Sequence, residues 1–161
     1  MTDLQTERLV LHPVDVDEAE RIIARQAGAP DSWAEDFPFD GDVVGATFYL
    51  RACAERGSQP PFGFYRLTRL ADGRAIGGIG FKAPQVQGHV EIGYGLAPSA
   101  RGQGLASEAV MAIVDVARTQ KVTKVLASTT HDNIASQRTL FHAGFTVAKS
   151  DDEMHYYEID L

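Results

Sequence analysis

The chain has 161 residues, 44% of them apolar and 23% charged, with a formal net charge of −7. That length suits one domain, residues 1–161, with a real core. No apolar run approaches the roughly 20 residues that cross a bilayer, and the charge has the opposite sign from that of a general nucleic-acid binder, so neither a membrane nor a nucleic-acid partner is expected.

The start, Met1-Thr2-Asp3-Leu4, lacks the basic flank and apolar stretch of a secretory signal. The single cysteine, Cys53, cannot form an internal disulfide and fits a reducing cytoplasm. Arg8 to His12 reads as a first strand ended by Pro13, and Asp15 to Arg25 as a helix with Val16, Ala19, Ile22 and Ile23 on one face. The segment from Gly28 to Gly41 reads as a loop. Its aromatics Trp33, Phe37 and Phe39 either anchor it on the core or line a pocket. A second helix is expected from Asp42 to Arg56, stopped by Gly57, with Cys53 as a small buried side chain on it.

Strands then dominate. Gly63 to Arg69 and Arg74 to Lys82 flank the hairpin signal Ala71-Asp72-Gly73, and His89 to Ala97 follows Val86-Gln87-Gly88, which predicts an antiparallel meander. After Pro98 the period changes. Leu105, Ala109, Ile113 and Val116 recur at helical spacing, as do Val110, Val114 and Ala117, so this helix packs a wide apolar face on the sheet. Val122 to Thr129 is a strand, a short helix carries Ile134, Gln137, Leu140 and Phe141 with Gly144 at its end, and Phe145 to Lys149 with Met154 to Asp160 forms a last hairpin. The fold class is mixed α/β: a mostly antiparallel twisted sheet of about seven strands with helices on both faces. The strands on either side of the Leu105 helix need a crossover, which permits a parallel pair.

The segment with the clearest chemistry is Arg101-Gly102-Gln103-Gly104-Leu105-Ala106, between a strand end and a long helix. Glycine lets the backbone turn sharply and lets an anion reach the amides. The first amides of a helix have no internal acceptor, and the helix dipole adds to them. With Arg101 alongside, the turn suits a pyrophosphate; by themselves the glycines are equally compatible with a ligand-free turn. Gly78-Ile79-Gly80-Phe81-Lys82-Ala83 matches a dinucleotide fingerprint as a string, but it lies in a strand, runs into Pro84 and opens no helix. No Gly-Lys-Ser/Thr ending makes a P-loop. His12, His89, His131, His142 and His155 show no metal-ligand spacing, so no metal is expected.

At these residues the chain resembles the GNAT superfamily of acyltransferases, whose central motif Arg/Gln-x-x-Gly-x-Gly/Ala is matched by Arg101, Gly104 and Ala106. The opening Thr6 to Leu11, the strand Glu91-Ile92-Gly93-Tyr94-Gly95-Leu96, Ser107-Glu108-Ala109, and Asn133-x-x-Ser136 followed by Gly144-Phe145 are similar to the branch that contains the ribosomal-protein N-terminal acetyltransferases. The resemblance implies acetyl-CoA as acyl donor and a sheet splayed between the fourth and fifth of the seven strands, where the pantetheine arm lies. It implies that Leu96 and Ala97 bond the arm through their backbones, that the amides of Gln103 to Ala106, with Gly102 and Arg101, hold the pyrophosphate, and that Asn133 bonds the arm from its side chain. It implies Glu91 as general base and Ser136 near the sulfur as proton donor. The tyrosine that many relatives carry seven residues after the asparagine is absent: that position is Leu140. For Glu91 the competing reading is an ordinary strand carboxylate, for Ser136 a helix serine bonding its own backbone, and for Arg138 a solvated helix arginine rather than a phosphate ligand. The resemblance implies a primary amine on a small molecule or a protein N-terminus as acceptor, and it admits a homodimer. The alternatives are a non-catalytic acyl-CoA sensor on the same fold and, from another class, a dinucleotide-binding oxidoreductase. The consecutive strands argue against the latter.

Overall fold

Alternation and helical spacing become one eight-stranded mixed sheet with helices on both faces. The computed structural model describes residues 2–82 and 86–161. In chain order the elements are β1 (Leu4–Gln5), β2 (Leu9–Pro13), α1 (Val16–Ala24), α2 (Asp40–Arg56), β3 (Phe64–Arg69), β4 (Arg74–Phe81), β5 (His89–Leu96), α3 (Leu105–Arg118), β6 (Lys124–Thr130), α4 (Ile134–His142), β7 (Thr146–Ser150) and β8 (Met154–Asp160), with one 3₁₀ turn at Pro98–Ala100. The sheet order is β1-β2-β3-β4-β5-β6-β8-β7. Neighbours are antiparallel except β5 and β6, which run parallel across the α3 crossover.

Capping sets the helix starts. Asp15 accepts from the Glu18 N–H at 2.8 Å and opens α1. Asp42 accepts from the Phe39 N–H at 2.8 Å, so α2 begins at Asp40, two residues before the position expected from the sequence. Gly144 closes α4 in the left-handed region, φ 96°.

Adjacent strand residues point to opposite faces. A Cβ on Gly45 of α2 would come within 2.5 Å of the Phe64 ring, whereas Tyr65 borders a groove with Met111 and Ala112 of α3. The two helices therefore cover opposite faces. Between α3 and the sheet lie Leu105, Ala109, Val110, Ile113 and Val114, all buried as their spacing predicts. Trp33 and Phe37 pack edge to face at 5.2 Å, with Phe37 buried, so these two anchor the α1–α2 loop. Cys53 is half-buried on α2.

Two details depart from the sequence reading. The sheet has eight strands because Leu4 and Gln5 add a two-residue edge to β2, too short to show a period. Gly78 and Gly80, the glycines of the fingerprint-like string, lie inside β4, where a Cβ would come within 2.4 Å and 3.0 Å of the Phe64 ring; they are small to admit that ring. Ala83 and Pro84 lie outside the described residues.

Candidate active site

The site begins where the sheet opens. β5 and β6 pair only at His89–Glu91 with Lys124–Leu126. Beyond Glu91, β5 continues against β4 as far as Leu96, and β6 continues against β8 as far as Thr130. The gap is the splay between the fourth and fifth long strands.

At the end of β5 the chain turns into α3 through two residues in the left-handed region, Gly102 and Gly104, both at φ 78°. No side chain caps α3 at Gly104, so its first-turn amides face outward. The one acid in that turn, Glu108, is drawn away from them: it accepts from Thr6 Oγ1 at 2.5 Å, from the Arg8 N–H and from Arg8 Nε, each at 2.8 Å. Burial alone would push its carboxyl up, but these donors hold it below the usual carboxylate range. Arg8 also donates to the Gln103 carbonyl at 2.7 Å and so pins the turn from outside. Asp36 accepts from the Ser99 N–H and hydroxyl, both at 2.8 Å, tying the α1–α2 loop to the same region. Arg101 donates to the Leu96 carbonyl at 3.1 Å and lies over the Phe39 ring at 4.9 Å. The result is an exposed glycine turn with outward amides, a helix N-terminus and a guanidinium beside it, which suits an anion.

A cavity of about 610 Å³ runs from this turn past Leu96 and Ala106 to Asn133, Ser136 and Arg138 on the opposite wall. On the α2 side of the sheet a second cavity, about 260 Å³, is walled by Phe48, Tyr49, Phe64 and Phe81, with Lys82 at its edge. Gly41, Tyr94, Asn133 and Ser136 border both. One long channel and one aromatic pocket thus meet at a single polar point.

The sequence-predicted residues are placed as follows. Arg101, Gly102, Gly104, Leu105, Ala106, Leu96, Asn133 and Ser136 all line the larger cavity. The Gln103 carbonyl is taken by Arg8. The Ala97 N–H is committed to the Ile76 carbonyl at 2.7 Å, and the residue is fully buried. Backbone groups of a strand alternate between its two neighbours, so Leu96 faces the gap and Ala97 faces β4; the expectation of an Ala97 bond to a bound arm is corrected accordingly. Asn133 uses Oδ1 to cap α4 by accepting from the Ser136 N–H at 3.1 Å, and the residue borders both cavities. Ser136 Oγ lies 2.7 Å from the Tyr94 hydroxyl. Glu91 borders neither cavity: its Oε2 lies 3.2 Å from Lys82 Nζ, and about two-fifths of its side chain is exposed. Four residues were not singled out from the sequence, namely Arg8, Asp42, Lys82 and Tyr94. Among the described residues no group of three His, Cys, Asp or Glu is placed to hold a metal, and no helix is long and apolar enough to cross a membrane.

The strand gap thus opens directly onto the glycine turn and its outward amides. Residues 8–146 match the family model described as Acetyltransferase (GNAT) domain, and the chain belongs to that family of acetyltransferases. The uncharacterized N-acetyltransferase YjdG of Bacillus subtilis (strain 168) is 32% identical over 84 residues, 51% of this chain and 50% of that protein, so the match spans about half the length of this curated relative. Among solved structures, a GNAT-family acetyltransferase from Bacillus anthracis superposes with a TM-score of 0.71 at 16% identity, over 99% of this chain and 98% of that one. RimL, a ribosomal alpha-N-protein acetyltransferase in complex with coenzyme A, superposes with a TM-score of 0.69 at 15% identity, over 99% of this chain and 98% of that one. At those identities the two structures establish the shared fold.

Proposed function

We propose that this chain transfers the acetyl group of acetyl-CoA to a primary amine, on a small molecule or a protein N-terminus, within one domain spanning residues 1–161. The observation that carries the reading is the continuity of the glycine turn, the strand gap and the aromatic pocket, with Tyr94, Asn133 and Ser136 where the two cavities meet. Acetyl-CoA, when bound, supplies an acetyl group activated as a thioester. The amides of Gln103 to Ala106 and the Arg101 guanidinium hold its pyrophosphate, with Arg138 at the far wall; the Leu96 backbone and Asn133 Nδ2 orient the pantetheine arm. The acceptor enters the aromatic pocket walled by Phe48, Tyr49, Phe64 and Phe81.

An α-amine has a pKa of roughly 7.7–8.0 and a lysine side chain ~10.4, so an α-amine needs little help near neutrality. Glu91 takes its proton through solvent at the pocket edge, where Lys82 joins the two. This step predicts that Glu91→Gln lowers kcat about 10²-fold, the usual worth of a positioned base, while acetyl-CoA affinity stays within about twofold. Steady-state kinetics with calorimetry decides it: wild-type turnover in the variant removes Glu91 from the mechanism. The Glu91–Lys82 ion pair is also what favours a second reading, a non-catalytic acyl-CoA-binding module in which Glu91 serves structure. A panel of amines assayed for released thiol separates the two. Tight acetyl-CoA binding with no thiol release across the panel leaves the second.

A further inference from the structure

The position where many relatives carry a tyrosine on the last helix is Leu140 here, and Leu140 is fully buried in the core, out of reach of any ligand. A phenol nevertheless stands at the meeting point of the two cavities, and it comes from another element. Tyr94 lies on β5, on the stretch that has left β6. Its hydroxyl is 2.7 Å from Ser136 Oγ and 3.2 Å from the Ser136 carbonyl, so it reaches across the gap to the first turn of α4.

We propose that Tyr94 is a positioning residue for the departing sulfur: its O–H donates to Ser136 Oγ and so turns the Ser136 hydroxyl hydrogen into the cleft as the donor that stabilises the thiolate. This rests on the acetyl-CoA reading above. A helix serine otherwise tends to turn its hydroxyl onto a backbone carbonyl three or four residues back. Here Asn133 fixes the serine backbone by accepting from its N–H at 3.1 Å, and in the proposed arrangement Tyr94 donates to one lone pair of Oγ, which leaves the serine hydrogen free to serve. Two hydroxyls in series polarise each other, and the pair donates a stronger bond than a lone serine.

The balance of the step is simple. The amine nitrogen forms a bond to the acetyl carbon, and the carbon–sulfur bond breaks with its electron pair going to sulfur. The amine proton goes to Glu91 and on to solvent, and the sulfur takes its proton from solvent after departure. Tyr94 keeps its own proton throughout. Burial pushes its phenol up to about 12, ahead of a smaller downward effect of Ser136, whereas an ordinary thiol sits near ~8.5. Proton transfer from this phenol to a thiolate runs uphill, and a hydrogen bond does not.

The test is the thiol titration of bound coenzyme A, followed by the ultraviolet absorbance of the thiolate and paired with calorimetric binding, for the wild-type chain, Tyr94→Phe, Ser136→Ala and the double variant. One charge-assisted hydrogen bond is worth about one pKa unit or somewhat more. The bound thiol in the wild-type chain should titrate about one unit below free coenzyme A. Each single variant should lose most of that depression, and the double variant should match Ser136→Ala, because the two hydroxyls act as a unit. An unchanged bound-thiol pKa in Tyr94→Phe, with coenzyme A still bound, overturns this role and leaves the acetyl-CoA reading standing. Two independent, additive losses overturn it as well. Failure of the wild-type chain to bind coenzyme A overturns both.

Discussion

Among the described residues, Asp42 is the buried carboxylate with an oxygen left unpartnered. It is 2% exposed, and while one carboxylate oxygen accepts from the Phe39 N–H, Oδ1 is buried without a hydrogen-bond partner among the described residues. Buried Glu18, by contrast, is paired with Arg66. Burial pushes the Asp42 carboxyl up to about 6, against the Phe39 bond and the more distant charges of Arg25 and Arg101. Between about pH 4 and pH 6 the folded chain keeps a proton that the unfolded chain has released. The stability Asp42 contributes is therefore fully present below about pH 4 and lost as pH rises through about 6, by up to about 3 kcal/mol. Asp31, Asp36, Asp72, Glu108 and Asp151, all held below their ordinary values, work in the opposite direction and lose stability in acid. Asp42→Asn removes only the first effect. Its stability relative to the parent chain, from urea unfolding, should rise by about 1–3 kcal/mol between pH 4.5 and pH 7.5; a constant difference across that range would show that the carboxylate is already ionised without penalty. Asp42 escaped notice in the sequence because an acid at a helix start reads as a cap. It is a cap, but the sheet beneath it also takes its water away. Tyr94 escaped for a similar reason: it shares strand parity with buried Ile92 and Leu96 and reads as packing until the gap beside β5 is seen.

At the scale of elements, the turn before α3 was legible because its chemistry is local. Glycines at positive φ, an uncapped helix start and a following apolar stripe all lie within one stretch of chain, so spacing alone predicts them. The strand gap was not legible from spacing, since it depends on β6 choosing β8 over β5 beyond Leu126, and only the family resemblance supplied it. The two-residue β1 and the early start of α2 were missed for want of any period to read. The turn carries its own prediction. Gly104→Ala places a Cβ at φ 78° and 3.4 Å from the Arg8 guanidinium, a strain of about 1–2 kcal/mol that the turn relieves by moving its amides. Acetyl-CoA affinity should fall about tenfold, which corresponds to ~1.4 kcal/mol. Gly73→Ala is the matched control: Gly73 has φ 69° with open space around it and lies in the β3–β4 turn. It should cost similar stability and leave affinity unchanged. Equal affinities in the two variants, measured by calorimetry, would remove the turn from the binding site.

In the whole molecule, the sheet consists of a five-stranded part, β1 to β5, and a three-stranded part, β6, β8 and β7, joined strand to strand through only three residue pairs, His89–Lys124, Val90–Val125 and Glu91–Leu126. Beyond Glu91 the two parts share no ladder; the backbone N–H groups of Thr123 and Lys124 donate to the Gly88 carbonyl at the closed end, α3 packs against α4, and Tyr94 contacts Ser136. On the proposed reading, a ligand lying along β5 and bonded to α4 would bridge the two parts where they share no ladder. A ligand at 100 times its Kd stabilises the folded chain by about 2.7 kcal/mol, and for a domain of this size each kcal/mol raises Tm by about 2–4 °C. Acetyl-CoA at that excess should therefore raise Tm by roughly 5–10 °C, while NAD, whose binding needs repeated strand-helix-strand units where this sheet has one parallel pair, β5 and β6 across α3, should leave it unchanged. Amide hydrogen exchange localises the effect: protection should grow in Ile92–Leu96 and Ala127–Thr130, on the two lips of the gap, more than in β2 and β3, which are themselves already paired on both sides. A Tm increase without slowing at those lips would place the ligand elsewhere, and a shift with NAD equal to that with acetyl-CoA would mean that the gap does not discriminate between an acyl-pantetheine arm and a nicotinamide.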